Sequence, residues 1–275
     1  MGHIDRTIGH LVLAINSAEQ SLEPFYHLRL TEVFPPALYS SMLEAMPGKA
    51  DYRQMSGRTK STRTADGGTR TKLDLFPEII RHFPMEKKCV WEIVSRALLS
   101  KPVREAFTGR LAPGLEQRFG PDYVKVGMYP IPILTRDVPG YEIGIHPDTH
   151  WKGMTIQLYL PPDQSIQHVG TIFHKRTSQN SYQKSLQMSF SPNTGYAFAV
   201  GEHTYHSVYR VGPEVRNRDS ILLTYFVDHS LLQLLRNRMK RIGNFLLNEW
   251  RHLVAAPGTT GRRRLADELR PRHQP

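Results

Sequence analysis

The sequence predicts an α+β fold in which flanking helices pack on a mainly β core. Apolar residues follow a helical period in the first part of the chain, most clearly at Val90, Val94 and Leu98. From Tyr123 to Asp228, short segments rich in β-branched and aromatic residues alternate with turn residues. Helices that precede many short strands are typical of helices packed on an antiparallel double sheet.

Apolar patterns define the predicted elements in chain order. The loosely periodic Leu11, Leu13, Ile15 and Leu22 indicate a short helix over about 8–22. The alternation of residues 123–129 indicates a strand. The elements predicted between these two are a strand over 25–33 and helices over 36–46, 76–84, 86–99 and 101–109.

A final helix is predicted over about 231–253. Ser230 is a suitable N-cap, and the spacing of the apolar residues that follow is helical. We expect this stripe to pack on its own domain or on a second subunit, which makes a homodimer contact a reasonable use of it. The stripe consists of Leu231, Leu235, Met239, Ile242, Leu246 and Trp250.

Composition restricts the class of protein. A chain of 275 residues is long enough to bury a full core. Because Cys89 is the only cysteine, an internal disulfide framework and a thiolate zinc cluster are excluded, and a reducing, cytoplasmic location is expected. The sequence contains no apolar run long enough to span a bilayer and no apolar secretory segment at its N-terminus.

The formal net charge of +11 comes largely from three basic segments, at 52–73, 236–241 and 262–272. No run of aromatic residues is interleaved with these charges, so the sequence gives no firm evidence for nucleic-acid binding. The tail from 256 onward has no apolar face and is predicted to be disordered. The segment 53–72 is predicted to be a mobile loop. It either closes over a site as a lid that favours an anionic substrate or is a solvated surface.

His146-Pro147-Asp148 is the motif with the clearest chemistry. Residues two apart in a strand point to the same side, so His146 and Asp148 can reach one metal ion. A third ligand must come from another strand, and His206 can supply it; His203 is an alternative. Two imidazoles and one carboxylate suit non-haem Fe(II) and leave coordination positions open.

The order of the motifs resembles that of the Fe(II)/2-oxoglutarate-dependent dioxygenases, in particular the bacterial prolyl-hydroxylase-like and phytanoyl-hydroxylase-like oxygenases. Pro147 departs from the Thr or Ser that is more usual between the first two ligands. The resemblance covers about residues 24 to 230. It is carried by 24–30, 33–36, 139–149, 155–161, 170–171, 192–193, 206–208 and 218–220.

The resemblance implies a double-stranded β-helix (jelly roll, cupin-like) with its core at about 123–228. The implied organisation is an N-terminal extension over 1–23, a dioxygenase domain over 24–230, a C-terminal helix over 231–255 and a basic tail over 256–275. It further implies Fe(II), 2-oxoglutarate and O2, with metal ligands His146, Asp148 and His206 and no other catalytic residue. The expected reaction is hydroxylation of a small molecule (an amino acid, a sugar or a natural-product intermediate), coupled to decarboxylation of 2-oxoglutarate to succinate.

Arg218 and Ser220 are the predicted anchors for the distal carboxylate of 2-oxoglutarate. A guanidinium grips a carboxylate through two parallel hydrogen bonds, and a hydroxyl two residues further along a strand faces the same side. Arg216 has the same parity and is the alternative anchor. Thr155, Gln157 and Tyr159 also share one face of a strand; Gln157 and Tyr159 are predicted to contact the cosubstrate, and cross-strand packing is the alternative.

Two other functions are consistent with the sequence. The basic charge allows a hydroxylase that acts on a protein or nucleic acid instead of on a small, possibly anionic, molecule. A non-catalytic cupin-like metal-binding protein would also account for the histidines. Formation of succinate distinguishes the two enzymes from the binding protein.

Overall fold

A computed structural model describes residues 2–55, 63–64, 67–179, 181–228 and 230–255. The described helices and strands form an α+β fold, and every described strand pair is antiparallel. None of the described helices combines the length and the apolar character needed to cross a bilayer.

Seven α-helices lie in the described residues. They are α1 (His3–Asn16), α2 (Pro36–Glu44), α3 (Pro77–Ile80), α4 (Met85–Leu98), α5 (Lys101–Arg110), α6 (Ala112–Phe119) and α7 (Leu231–Ala255). The strands described are β1 (Glu19–Ser21), β2 (His27–Leu30), β3 (Arg53–Gln54), β4 (Arg63–Thr64), β5 (Gly67–Gly68), β6 (Arg70–Asp74), β7 (Met128–Asp137), β8 (Ile143–His146), β9 (Lys152–Tyr159), β10 (Ile172–Ser178), β11 (Ser181–Gln187), β12 (Gly195–Ala199), β13 (Tyr205–Val208) and β14 (Arg218–Val227).

Two sheets organise the molecule. The larger has the strand order β1-β2-β12-β9-β14-β7-β6-β3, and the smaller has the order β11-β10-β13-β8. Along the chain, β7, β9, β12 and β14 belong to the larger sheet, whereas β8, β10, β11 and β13 belong to the smaller. The chain therefore crosses repeatedly between the sheets from β7 onward.

Alternating residues of the larger sheet supply two separate cores. In β9, Met154, Ile156 and Leu158 face a core that also receives apolar residues of the helices, such as Trp91 of α4. Tyr159, on the opposite face of β9, joins a second, aromatic core that includes Phe173 of the smaller sheet. Both faces of β9 are therefore buried. The polar residues of β9 that share a face with Tyr159 are enclosed between the two sheets.

The aromatic core holds the two sheets together. The ring of Phe173 lies 5.1 Å from that of Tyr196 and 5.9 Å from that of Phe198, both of which belong to β12. Edge-to-face contacts of this kind are favourable at such distances. Aromatic side chains thus fill part of the space between the sheets, next to the polar residues of β9 and β14.

Several predicted elements are confirmed, and two differ. The helices predicted over 36–46, 86–99 and 101–109 agree with α2, α4 and α5. The strand predicted over 123–129 is wrong, because Tyr123–Lys125 is a 3-10 turn and β7 begins only at Met128. Val124 is 66% exposed, so the apparent alternation has no buried side. The helix α6 was not predicted.

Helix α1 and the basic segment also depart from the sequence prediction. Helix α1 begins and ends earlier than the predicted helix over 8–22, and it packs Leu11 and Ile15 in the same core as α4. Part of the predicted loop 53–72 is ordered as β3 and β6, which pair with each other. Residues 56–62 and 65–66, and the predicted disordered tail 256–275, lie outside the described residues. The lid role of the basic segment stays a prediction.

Candidate metal centre

The structure brings His146, Asp148 and His206 together. His146 ends β8 and is the direct cross-strand partner of His206 in β13, with 4.5 Å between the ring centroids. Asp148 follows two residues after the end of β8. One donor atom from each of the three residues lies within 4.8 Å of the others. A metal ion could contact all three side chains from one side.

Backbone carbonyls orient both imidazoles. The Nδ1 atom of His146 lies 2.8 Å from the Gly144 carbonyl oxygen, and that of His206 lies 3.0 Å from the Thr204 carbonyl oxygen. Since a carbonyl oxygen only accepts, each Nδ1 carries the proton and each Nε2 has a free lone pair. This arrangement is typical of metal-binding histidines, because the second ring nitrogen is fixed by a partner outside the metal site.

Burial keeps His206 neutral. The pKa of His206 is lowered to about 4, mainly by burial; Asp148 acts to raise this pKa, and the nearby His146 acts to lower it. A neutral imidazole is the form that coordinates a metal.

Asp148 is held as a carboxylate by two neighbours. The Lys152 ammonium donates to Oδ1 at 2.5 Å, and the Thr155 hydroxyl donates to Oδ2 at 2.6 Å. Burial acts to raise the pKa of Asp148, but Lys152, His206 and Thr155 outweigh it and keep this pKa well below its usual range. Thr155, which shares one face of β9 with Gln157 and Tyr159, thus contacts Asp148.

His203 does not join this group in the described structure. It is exposed in the turn before β13, and its backbone carbonyl accepts the Tyr205 N–H at 2.9 Å. It lines a cleft beside Phe25 and Arg118, not the space between His146 and Asp148. Of the two alternatives left open by the sequence, the geometry favours His206.

Arg218 lies at the start of β14 and is fully buried. Its Nε donates to the Val169 carbonyl at 2.7 Å, and one terminal nitrogen donates to Asp137 at 2.8 Å. Arg70 of β6 donates to the same carboxylate through two nitrogens, at 2.5 and 2.7 Å. Two guanidinium groups therefore share one carboxylate, which leaves an uncompensated buried positive charge. Arg216, the alternative anchor, is exposed.

Two further residues of this region, Arg70 and Asp137, are not evident from the sequence. Arg70 was placed in a mobile loop, and its partner is 67 residues away in sequence. The alternation of Arg70 and Lys72 around Thr71 was the available signal, since a strand would turn both cations to one face. Only the register of β6 against β7, which pairs Arg70 with Asp137, reveals the ion pair.

Ser220, Gln157 and Tyr159 form a hydrogen-bonded layer next to Arg218. Gln157 donates to the Ser220 hydroxyl at 2.8 Å and accepts from the Tyr196 hydroxyl at 2.7 Å. The Tyr159 hydroxyl accepts the Thr171 N–H at 3.2 Å. All four residues predicted to hold the cosubstrate therefore lie in one region between the sheets.

A buried phenol beside this layer has no partner among the described residues. Tyr141 is fully buried, its hydroxyl makes no hydrogen bond, and the Arg70 guanidinium lies 4.1 Å from its ring centroid. A buried hydroxyl without a partner is unfavourable by about 1–3 kcal/mol. The positive charge and the free hydroxyl together fit an anionic group with several acceptor oxygens.

Five cations, three from the larger sheet and two from α7, lie near one another beside the metal centre; we call them the cationic cluster. Lys152 is the cross-strand partner of Phe226, whose ring centroid lies 4.7 Å from the Lys240 ammonium. Desolvation and the charge of Lys72 lower the pKa of Lys240. The cluster consists of Arg53, Lys72, Lys152, Arg236 and Lys240, against the carboxylates of Asp74 and Asp148.

Comparisons with known proteins give a likeness in fold only. No family model matches the chain, and no curated protein matches its sequence. A Pseudomonas putida prolyl-4-hydroxylase is 15% identical with a TM-score of 0.45, over 80% of this chain and 98% of that chain. A Trichoplax adhaerens prolyl hydroxylase, solved with a hypoxia inducible factor peptide, is 14% identical with a TM-score of 0.46, over 81% and 90%.

A third solved structure, a 2OG-Fe(II) oxygenase family oxidoreductase from Burkholderia pseudomallei, is 11% identical with a TM-score of 0.42, over 82% of this chain and 90% of that chain. The structures similar to this chain thus include prolyl-4-hydroxylase-like and 2OG-Fe(II) oxygenase proteins. Likenesses at this level do not by themselves establish a function, which has to follow from the geometry of the site.

Proposed function

We propose that the chain is an Fe(II)- and 2-oxoglutarate-dependent dioxygenase that hydroxylates a small anionic molecule. The carrying observation is the convergence of His146, Asp148 and His206, whose donor atoms lie within 4.8 Å of one another. Both imidazoles direct an unprotonated Nε2 away from the carbonyl that fixes Nδ1. Two histidines and one carboxylate on one side of an ion suit Fe(II) with open positions.

We propose that the two sheets form a double-stranded β-helix. Strands β7 to β14 supply four strands to each sheet, in the orders β12-β9-β14-β7 and β11-β10-β13-β8. This repeated crossing between facing antiparallel sheets is the feature expected of a jelly roll. Such a fold would bring β8 and β13 together at one end of the smaller sheet, next to the inner face of β9.

In this proposal 2-oxoglutarate lies between the metal centre and Arg218. Tyr159 lies four positions after Thr155 on β9, which corresponds to about 13 Å of strand. The side chains of the metal ligands and of Arg218 extend into this space from its two ends. The remaining distance suits an extended five-carbon dicarboxylate. The excess positive charge of Arg70 and Arg218 and the free hydroxyl of Tyr141 support a carboxylate at the far end.

The remaining residues have orienting roles. Bound Fe(II), 2-oxoglutarate and O2 would together supply the oxidation of a C–H bond: one oxygen atom of O2 would go to the substrate and the other to succinate, with loss of CO2. Thr155 would hold the Asp148 oxygen that does not face the ion. Gln157 and Ser220 would donate hydrogen bonds to the cosubstrate, or would hold in place the protein groups that do so. The aromatic core would exclude water from the space between the sheets.

The cationic cluster supports a substrate that carries a carboxylate or a phosphate. Its five cations outnumber the neighbouring carboxylates of Asp74 and Asp148. Lys240 contacts a ring, not a carboxylate, at the edge of the site. A cleft with excess charge of one sign attracts ligands of the opposite sign.

The decisive experiment measures metal binding and succinate release together. Wild-type protein is expected to bind about one Fe(II) per chain and to convert 2-oxoglutarate to succinate when a substrate is present. His206→Ala is expected to lose both properties, and His203→Ala, the matched control, is expected to keep both. Metal binding that survives in His206→Ala but not in His203→Ala would reverse the ligand assignment. Metal binding without succinate, across a panel of acids, would identify a binding protein.

A further inference from the structure

Helix α7 turns its apolar side to solvent. Seven large apolar side chains along one stripe are between 48% and 81% exposed. A contiguous apolar patch of this length on a monomer usually marks an interaction surface. The exposed stripe consists of Leu232, Leu235, Met239, Ile242, Leu246, Trp250 and Leu253.

The polar side of α7 packs on the rest of the chain. Asn237 is buried and donates to the Val227 carbonyl at 3.3 Å, and Asn248 donates to the Ile79 carbonyl at 3.3 Å. Arg241 forms an ion pair with Glu78. An amphipathic helix normally buries its apolar stripe, so the orientation of α7 is the reverse of the usual one.

The spacing of the exposed stripe suits a helical partner. Successive members are separated by three or four residues, from Leu232 to Leu253. Alternation of three and four is the pattern of a coiled-coil seam. The 25 residues of α7 extend over about 37 Å, which is enough for three heptads.

Every charged side chain of α7 contacts its own chain. Arg238 pairs with Asp228 at 3.2 Å, and Glu249 binds His82 at 2.8 Å. The exposed stripe is therefore uncharged, and it has no feature that would select an acidic partner or an anionic membrane. The other contacts are those of Arg236 with Trp151, Lys240 with Phe226, Arg241 with Glu78 and Arg251 with the Ala50 carbonyl.

We propose that a second copy of this chain covers the stripe, with α7 packed against α7 across a two-fold axis. An uncharged, heptad-spaced stripe is complementary to itself, as a two-fold interface requires. A stable interface buries about 800 Å² on each partner, and seven large apolar side chains along three heptads provide an area of that order. The polar side of α7 would keep its contacts with the rest of the chain, including those of Arg236 and Lys240 beside the metal centre.

Sedimentation of the full-length chain tests this proposal without any activity assay. Wild-type protein is expected to sediment with twice the chain mass at micromolar concentration. Leu235→Lys combined with Ile242→Lys is expected to sediment with the chain mass, because two charges would enter each side of the seam. The matched control is Leu13→Lys combined with Leu22→Lys, which replaces two exposed leucines outside α7 and should stay dimeric.

A second variant separates loss of the interface from loss of the fold. Met239→Cys, in a Cys89→Ser background, places one thiol in the seam and should form an intermolecular disulfide under mild oxidation. A wild-type chain that stays monomeric even at about 100 μM would overturn the proposal. Monomers that bind vesicles of neutral phosphatidylcholine through the stripe would overturn it too, because a lipid surface would then be the partner.

Discussion

Lys152 competes with any metal ion for Asp148. Its ammonium takes one oxygen of the carboxylate, while Thr155 takes the other. The ammonium keeps Asp148 ionised, but it also repels a divalent cation. Without Lys152, His206 and the Thr155 hydroxyl would still act to lower the pKa of Asp148, so the repulsion should dominate.

Lys152→Met should therefore tighten metal binding by roughly tenfold. The measurement is the Kd for Mn(II), followed by electron paramagnetic resonance at pH 7. Lys125→Met is the control, because Lys125 is exposed and forms an ion pair with Asp122 at 2.8 Å, away from the metal centre. Weaker binding in Lys152→Met would mean that the ammonium is needed to orient Asp148.

Arg218 provides the second prediction at this scale. Arg218→Lys keeps the positive charge beside Asp137 but loses the planar fork that grips a carboxylate. We expect the KM for 2-oxoglutarate to rise by about tenfold, with a smaller change in kcat. Arg216→Lys, at the exposed alternative position, should leave the KM unchanged. Equal KM values in the two variants would remove Arg218 from the cosubstrate site.

At the scale of elements, the backbone segment that contacts Arg218 packs closely on a second backbone segment at Gly170. This glycine lies between Val169, whose carbonyl accepts from Arg218, and Thr171, whose N–H donates to Tyr159. A Cβ at Gly170 would lie 1.6 Å from the Met188 carbonyl oxygen. Only glycine allows these two backbone segments to pack so closely.

Gly170→Ala should lower the free energy of unfolding by about 1–3 kcal/mol, the usual range for overpacking. Urea denaturation with a stability fit measures the change. Gly9→Ala is the matched control, because a Cβ at Gly9 in α1 meets nothing within 4 Å. That substitution should raise stability by about 1 kcal/mol. Equal stabilities would show that the backbone near Met188 adjusts at little cost.

Elements with a clear local pattern could be predicted from the sequence, and contacts between distant segments could not. Helix α4 shows its buried residues at helical spacing, and Ser230 caps α7 as predicted, with its Oγ accepting the Gln233 N–H at 3.3 Å. Helix α6 has a proline in its first turn and only one buried residue, Leu115, so it offers little periodicity.

The same division applies to the candidate site. His146 and Asp148 are two residues apart, so their proximity could be predicted, and the motif order located His206. The Arg70–Asp137 pair depends on the register of β6 against β7. The orientation of α7 depends on Glu78, which pairs with Arg241 from 163 residues away in the sequence. Neither partner can be identified from the local pattern.

At the scale of the whole molecule, part of the basic charge behind the net +11 lies where chemistry is proposed. The cationic cluster lies between α7 and the larger sheet, beside Asp148. Exposed cations elsewhere, such as Lys101 and Lys125, pair with nearby acids on the surface. The cluster therefore adds a directed field at the metal centre to the general surface charge.

This charge distribution predicts a preference for acids over their neutral esters. In a panel of carboxylic acids and the matching methyl esters, succinate release should be faster with the acid, by tenfold or more in kcat/KM, on the order of 1.4 kcal/mol. Raising NaCl from about 0.05 to 0.5 M should reduce this preference, because salt screens exposed charges.

Lys240→Gln should lower kcat/KM for the acid by about threefold to tenfold and leave the ester unchanged, since it removes one nearby charge. Lys101→Gln, which removes an equal charge from the distant helix α5, should have no effect. If esters are preferred, or if Lys240→Gln and Lys101→Gln behave alike, the cationic cluster does not select the substrate.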